Sequence, residues 1–268
     1  MAERAFSVRR MPGFSPIAIL CFVALYAPLL ILVVYSFNAG GSVGAWQGFS
    51  MQWYVTAWQN QAVQEVTWRS IEIAVIAMVV STIVATMAAL ATTRTAPFRG
   101  MGLIDVMINQ PLMVPEIVTA VALLIFFALI KLATGYYGLG YLCLAHAAFC
   151  IPFAYMPIRA RLESMDLSLE TAAADLYATP WMAFRRVTLP QLWPGILAGA
   201  MLAFVTSLDD VIITEFIKSG GQDTLPTYML GQMRRAVSPE LYAIATIFFL
   251  VSVLIVTLFF LVSRKRDG

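Results

Sequence analysis

Charged side chains are scarce in this chain. Asp, Glu, Lys and Arg supply 12% of its 268 residues, where an ordinary soluble domain carries about 25%. Hydrophobic residues reach 60%, which excludes both a soluble globular domain and a disordered chain. The net charge is only +2, and a nucleic-acid binder is excluded as well. Histidine occurs once, at His146, which rules out a conventional multi-histidine metal site. Cys21, Cys143 and Cys150 all stand in apolar stretches and make no disulfide framework. No Gly-x-x-x-x-Gly-Lys-Ser/Thr loop occurs, so the chain does not bind ATP by that route. The lack of a Ser/His/Asp or metal-ligand spacing argues against an intramembrane enzyme.

Long apolar runs are what remains. A hydrocarbon core about 30 Å thick needs about 20 apolar residues in a helix. Six stretches meet or approach that length: Ile17–Phe37, Ile71–Thr93, Met101–Leu132, Leu139–Ile158, Gly195–Ile217 and Leu241–Val262. The runs do not alternate with polar residues, so a β-barrel is excluded. The expectation is an all-α polytopic membrane protein, one transmembrane domain over residues 1–268. Met101–Leu132 is too long for one straight span and carries Pro111 and Pro115, which predict a break or kink. The first run has a basic start like a signal peptide, but its apolar core is too long and no clean cleavage site follows, so an uncleaved span is expected.

Basic residues set the orientation. Arg4, Arg9, Arg10, Arg94, Arg99, Arg159, Arg161, Arg185, Arg186, Arg264, Lys265 and Arg266 fall on one side, twelve of the seventeen. Arg69, Lys131, Lys218, Arg234 and Arg235 fall on the other. The richer side is read as cytoplasmic and holds both termini, which agrees with an even number of spans. The outer loop from Asn38 to Ser70 is aromatic. It reads as an interfacial belt with Met51–Val63 lying on the membrane, or as an aromatic lining at an external mouth.

The cytoplasmic loop, about residues 166–190, holds Ser168-Leu-Glu-Thr-Ala-Ala-Ala-Asp-Leu-Tyr and ends in Val187-Thr-Leu-Pro190. Ser168 is a good helix N-cap, and Glu170 lies in the first turn, where the dipole favours an anion. The alanines give a helix face that another surface can approach closely. A short docking helix is expected over Ser168–Thr179. This segment resembles the EAA loop of ABC-importer permeases, with Thr171, Ala172 and Ala173 at the Glu-Ala-Ala positions, Asp175 after them, Tyr177 at the glycine position and Leu189-Pro190 as the distal pair. Thr171 in place of glutamate reaches back poorly to a capping serine. Tyr177 in place of glycine would need about 1–2 kcal/mol to turn left-handed, so a changed angle or a continued helix is expected.

The similarity runs nearly end to end. Ala45-Trp-Gln-Gly-Phe-Ser-Met-Gln-Trp-Tyr54, Met113-Val-Pro-Glu-Ile-Val118, His146-Ala-Ala-Phe-Cys-Ile-Pro-Phe153, Ser207-Leu-Asp-Asp-Val211 and Val237-Ser-Pro-Glu240 resemble the second permease subunit of spermidine/putrescine importers. The resemblance implies the type I ABC importer permease fold in a bacterial inner membrane. It implies a paralogous permease partner, two ATPase subunits and a periplasmic solute-binding protein. No cofactor is expected on this chain, since ATP and magnesium would sit on the ATPase subunits.

Carboxylates inside spans are costly and tend to face a cavity. Asp209 and Asp210 lie in the outer half of the fifth run, roughly 22 Å from its cytoplasmic end at about 1.5 Å per residue. No basic residue is within a helical turn of them, and a di- or tri-cationic amine could neutralise them. Adjacent residues point about 100° apart, so one of the two is expected on the solute path, with either possible. Glu116, after Pro115, is read as a path residue or as a partner for backbone N–H groups freed at the break. Trp46, Trp53 and Tyr54 could receive an ammonium group over their rings. Glu72, Asp105 and Glu215, near span boundaries, read as snorkelling, solvated groups. His146 reads as a packed, hydrogen-bonded histidine, and Gly195 and Gly199 as positions of close helix approach. Another amine or an amino-acid-like zwitterion would also suit such a path. A stand-alone secondary transporter would call for internal repeats in a longer chain.

Overall fold

The computed structural model describes residues 14–41, 44–235 and 238–264. Arg4, Arg9, Arg10, Lys265 and Arg266 lie outside the described residues, as do Val237 and the side chain of Arg264. Regular structure among the described residues is helical, apart from one antiparallel bridge between Asn38 and Phe49. The helices are α1 (Phe14–Tyr35), α2 (Gln52–Gln59), α3 (Gln61–Thr93), α4 (Met101–Met113), α5 (Glu116–Thr134), α6 (Gly140–Ser164), α7 (Ser168–Asp175), α8 (Pro180–Ala183), α9 (Leu189–Leu208), α10 (Ile212–Ile217), α11 (Leu225–Arg235) and α12 (Pro239–Arg264). A π-helical turn, Phe184–Thr188, joins α8 to α9. Six helical stretches are long and apolar enough to cross a membrane: Ser15–Tyr35, Gln61–Thr93, Glu116–Thr134, Gly140–Ser164, Pro180–Leu208 and Pro239–Phe259.

α6 runs six residues past Ile158, α9 begins six residues before Gly195, and the ends of α1 and α12 shift by two or three residues, while three departures from the apolar runs are larger. α3 begins at Gln61, not Ile71, because Gln61–Ser70 holds no Pro or Gly and buries Val63, Val66 and Ser70 on the stripe that continues along α3, while hydropathy marks only the apolar part. The third run is two helices. Val114 is extended (φ −95°, ψ 138°), as a residue before proline prefers, and Pro115 opens α5, while Pro111 sits inside α4 without ending it. The fifth run is interrupted at Asp209–Val211, so Gly195–Ile217 is not one helix.

Two compact units divide the chain. The larger comprises Gln61–Gly231 and Val251–Gly268. Its core is α3, α6 and α9 packed together. The buried stripe of α3 includes Val63, Val66, Ser70, Ile73, Ala77, Ser81, Ala85, Ala89 and Thr92, three or four residues apart and mostly small. α9 repeats the device with Leu192, Gly195, Gly199, Ala203 and Ser207. A Cβ on Gly199 would stand 2.6 Å from the Ala154 carbonyl oxygen, and one on Gly195 would stand 2.6 Å from Arg161 Cβ. Hence α9 lies against α6 as closely as its backbone allows. In lipid, where burying apolar surface gives no drive, such contact is the main source of attraction. Cys143 and Cys150 are buried in this core, and the Cys150 thiol donates to the Ala203 carbonyl at 3.4 Å.

The smaller unit comprises Met1–Asn60 and Gln232–Leu250. Asn38, 1% exposed, organises its loop. The Asn38 amide oxygen accepts the N–H groups of Gln47 (2.8 Å) and Gly40 (3.3 Å), and its Nδ2 donates to the Ala45 carbonyl at 2.8 Å. Phe37 stacks on Phe49 and tilts against Tyr54.

Candidate functional site

The interruption of the fifth span is built from side chains. Neither Pro nor Gly stands between Ser207 and Thr214. α9 ends at Leu208, and α10 starts at Ile212. The two aspartates in the gap take opposite environments. Asp210 is buried, and its carboxylate accepts the backbone N–H groups of Ile213 (3.2 Å) and Thr214 (2.9 Å) and the Thr214 hydroxyl (2.9 Å). These N–H groups belong to the first turn of α10 and have no intrahelical acceptor, so Asp210 caps the helix. Asp209 is exposed.

Glu116 is half-buried at the start of α5, which packs against α10, and both Asp210 and Asp209 stand near enough to act on it electrostatically. The break at Pro115 and the break after Leu208 thus place Glu116 near the Asp209–Asp210 pair, 93 residues further along the sequence (209 − 116). Carboxylates this close repel unless a proton or a cation lies between them. Among the described residues, no Lys or Arg forms an ion pair with any of the three. Lys218, the nearest cation in sequence, is engaged by Glu215 and Asp223 at 2.6 Å each. Burial works against its charge, yet those carboxylates hold its pKa above the ordinary lysine value. Glu215 is therefore a paired group, not a freely snorkelling one. His146, 1% exposed, is hydrogen-bonded inside the core as its apolar surroundings suggested, with Nε2 3.5 Å from Asp210.

Trp46, Trp53 and Tyr54 belong to the smaller unit. Trp53 donates through Nε1 to the Asn38 carbonyl at 2.9 Å, and the Tyr54 hydroxyl meets Ser36 Oγ at 2.6 Å. Both rings are thereby tied into the loop. Trp46 is 48% exposed and meets Tyr35 edge-on.

The loop after α6 holds the second group of residues. Its helix α7 starts at Ser168, but Ser168 is not the cap. Its N–H is taken by Asp166 Oδ1 at 2.9 Å, and the Ser168 hydroxyl, with that backbone bond, holds the Asp166 carboxyl below the usual carboxylate range. Thr171 bonds backwards to the Leu167 carbonyl at 3.1 Å. Glu170 accepts from Arg94 Nε at 3.3 Å and from the Thr188 hydroxyl at 3.0 Å. Arg94 also donates to the Leu162 carbonyl at 3.1 Å, so one cation joins the ends of α3 and α6 to α7. No sequence spacing announces a pair 76 residues apart.

α7 does not continue past Asp175. Tyr177 is left-handed at φ 59°, alone among the described non-glycine residues. The Ala178 N–H reaches the Ala173 carbonyl (3.0 Å) and the Tyr177 N–H reaches that of Ala174 (2.9 Å), which is the Schellman ending that glycine usually makes. Ala172 is exposed while Ala173 turns partly inward, and Leu176 (82%) and Tyr177 (96%) stand out into the surroundings. Leu189 and Pro190 open α9, continuous with the π-helical turn. Asp105 is likewise not simply solvated: its Oδ1 accepts from Arg159 at 2.9 Å and from the Tyr155 hydroxyl at 3.0 Å, tying α4 to α6.

The family described as binding-protein-dependent transport system inner membrane component matches residues 85–266. The chain belongs to this family. The putrescine transport system permease protein PotI of Escherichia coli is 38% identical over 90% of this permease and 86% of its own length. The spermidine/putrescine transport system permease protein PotC of Haemophilus influenzae is 34% identical over 92% and 94%. Among solved structures, a bacterial alginate ABC transporter in complex with its oligosaccharide-bound periplasmic protein matches with TM-score 0.71 and 16% identity, covering 93% of this permease and 92% of that chain. The methionine transporter MetNI matches with TM-score 0.65 and 14% identity over 78% and 99%. The permease therefore has the type I ABC importer permease fold and is a multi-pass inner-membrane transport component.

Proposed function

We propose that this permease forms, with a paralogous permease subunit, the path by which a polyamine such as putrescine or spermidine crosses the inner membrane. A periplasmic binding protein delivers the amine. Two ATPase subunits, which carry ATP and magnesium, drive the cycle. The observation that carries the reading is the exposed carboxylate of Asp209 at an interrupted membrane helix, beside Glu116 and Asp210, with no fixed cation paired to it among the described residues. Such a site attracts an ammonium group without enclosing it. A carboxylate about 4 Å from an ammonium contributes about 1–4 kcal/mol between the limits of water and protein surface. A passage needs stops that are favourable and weak. The PotI and PotC similarity supports an amine as the cargo. Trp46, with its half-exposed ring, is assigned a secondary role near the external mouth, whereas Trp53 and Tyr54 hold the loop that presents it.

The N- and C-termini are placed in the cytoplasm on the distribution of basic residues. Arg94, Arg159, Arg161, Arg185 and Arg186 then mark the cytoplasmic side, and the α7 loop meets an ATPase subunit. Thr171, Ala172, Ala173, Asp175, Leu189 and Pro190 shape that surface, and Glu170 braces it.

Uptake of labelled putrescine, spermidine and a zwitterionic amino acid into vesicles containing the complete importer tests the cargo. Saturable, ATP-dependent uptake of either polyamine is expected. Uptake of the amino acid alone would assign the path to a zwitterion.

A further inference from the structure

Both ring nitrogens of His146 are used, and they are used on opposite sides of the helix interruption. Nδ1 meets Ser207 Oγ at 2.8 Å, in the last turn of α9. Nε2 meets Thr214 Oγ1 at 2.9 Å, in α10. The roles follow from what else these groups do. The Thr214 hydroxyl donates its proton to Asp210, so it accepts from Nε2–H. Nδ1 of the neutral ring is then the acceptor, and the Ser207 hydroxyl donates to it. The chain Ser207–His146–Thr214–Asp210 is thus continuous and closed, with every member buried. Nothing in the intervening backbone, which lacks Pro and Gly, imposes the break. A side chain from a third helix spans it instead.

We propose that His146 is a positioning residue for transport. It clamps the end of α9 to α10, keeps Asp210 turned inward as the cap of α10, and so leaves Asp209 as the exposed carboxylate. This rests on the reading of Asp209 as part of the amine path. Leucine at 146 supplies similar bulk and neither bond. Glutamine can donate to Thr214 through its Nε2 and accept from Ser207 at its Oε1.

The test is uptake of labelled putrescine by vesicles containing the complete importer with saturating loaded binding protein, alongside assembly and basal ATPase activity. His146→Leu is expected to lose uptake at least about tenfold, the scale of one lost buried hydrogen bond or more. Its half-saturating concentration of loaded binding protein should not change, because the docking surface is untouched. His146→Gln is expected to recover most of the uptake. Wild-type uptake by His146→Leu overturns the proposal. Equal losses in the Leu and Gln variants also overturn it, because bulk and not the two bonds would then be at issue. Should His146→Leu fail to assemble, Ser207→Ala and Thr214→Val each remove one side of the clamp. Reduced uptake by either assembled complex supports the clamp, and full uptake by both overturns it. Asp209→Asn in the same assay keeps the two readings apart: normal uptake there sinks the path reading, while the clamp is judged on its own variants.

Discussion

Asp209 and Asp210 are neighbours with different chemistry, and the difference is local. Asp210 spends its oxygens on Ile213, Thr214 and the network of His146, while Asp209 has its carboxylate exposed. The amino-acid order locates the pair but does not distinguish its members, because the turn that separates them uses neither Pro nor Gly and leaves no mark in composition. Tyr177 is a comparable case. Its place in the loop is evident from the sequence, yet a tyrosine would be expected to avoid φ 59°. Two Schellman hydrogen bonds hold it there. Glycines, by contrast, were readable. Gly199 faces a backbone carbonyl at 2.6 Å, so Gly199→Ala forces α9 away from α6 and should destabilise the folded chain by about 1–3 kcal/mol. Gly231→Ala, in α11 with open space around it, should be neutral or stabilising by up to about 1 kcal/mol. Thermal unfolding in detergent checks both. A lower midpoint for Gly231→Ala than for Gly199→Ala would refute the close-packing explanation.

At the scale of elements, apolar runs identify helices well and their ends poorly. Polar residues extend α3 by ten positions beyond the run (71 − 61), and the break after Leu208 is bridged by His146 from α6, which no window along α9 can contain. Pro115 ends a helix while Pro111 does not, because only Val114 takes the extended conformation that a following proline favours. The loop after α6 shows the same division. A short helix was visible in the run of alanines, though it ends at Asp175 and not Thr179, while the brace from Glu170 to Arg94 and Thr188 joins three elements and has no sequence signature. The outward face of α7 carries Ala172, with Leu176 and Tyr177 exposed just beyond its end. Ala172→Arg should therefore block close approach of an ATPase subunit, abolishing uptake and stimulated ATPase activity while membrane insertion persists. Unchanged transport and stimulation would show that this face does not dock.

For the whole molecule, six apolar helices and the family match settle a multi-pass inner-membrane permease. Composition alone had excluded a soluble domain, since polar surface is too sparse to cover one. The proposed orientation rests on where basic residues lie. In a Cys21→Ser background, Ser42→Cys and Gln222→Cys should react with an impermeant thiol reagent added outside, and reaction only from the cytoplasmic side would invert the topology. On the proposed path, passage of a cation depends on the charge of Asp209. Uptake of labelled putrescine and spermidine by vesicles bearing Asp209→Asn measures it most directly, because the amide keeps the shape of the side chain and removes its charge. Loss of even about 1.4 kcal/mol at a rate-limiting stop slows flux about tenfold. Asp209→Asn is expected to lose at least that much polyamine uptake with assembly and basal ATPase activity intact, and wild-type uptake by this variant would contradict a cation path through Asp209.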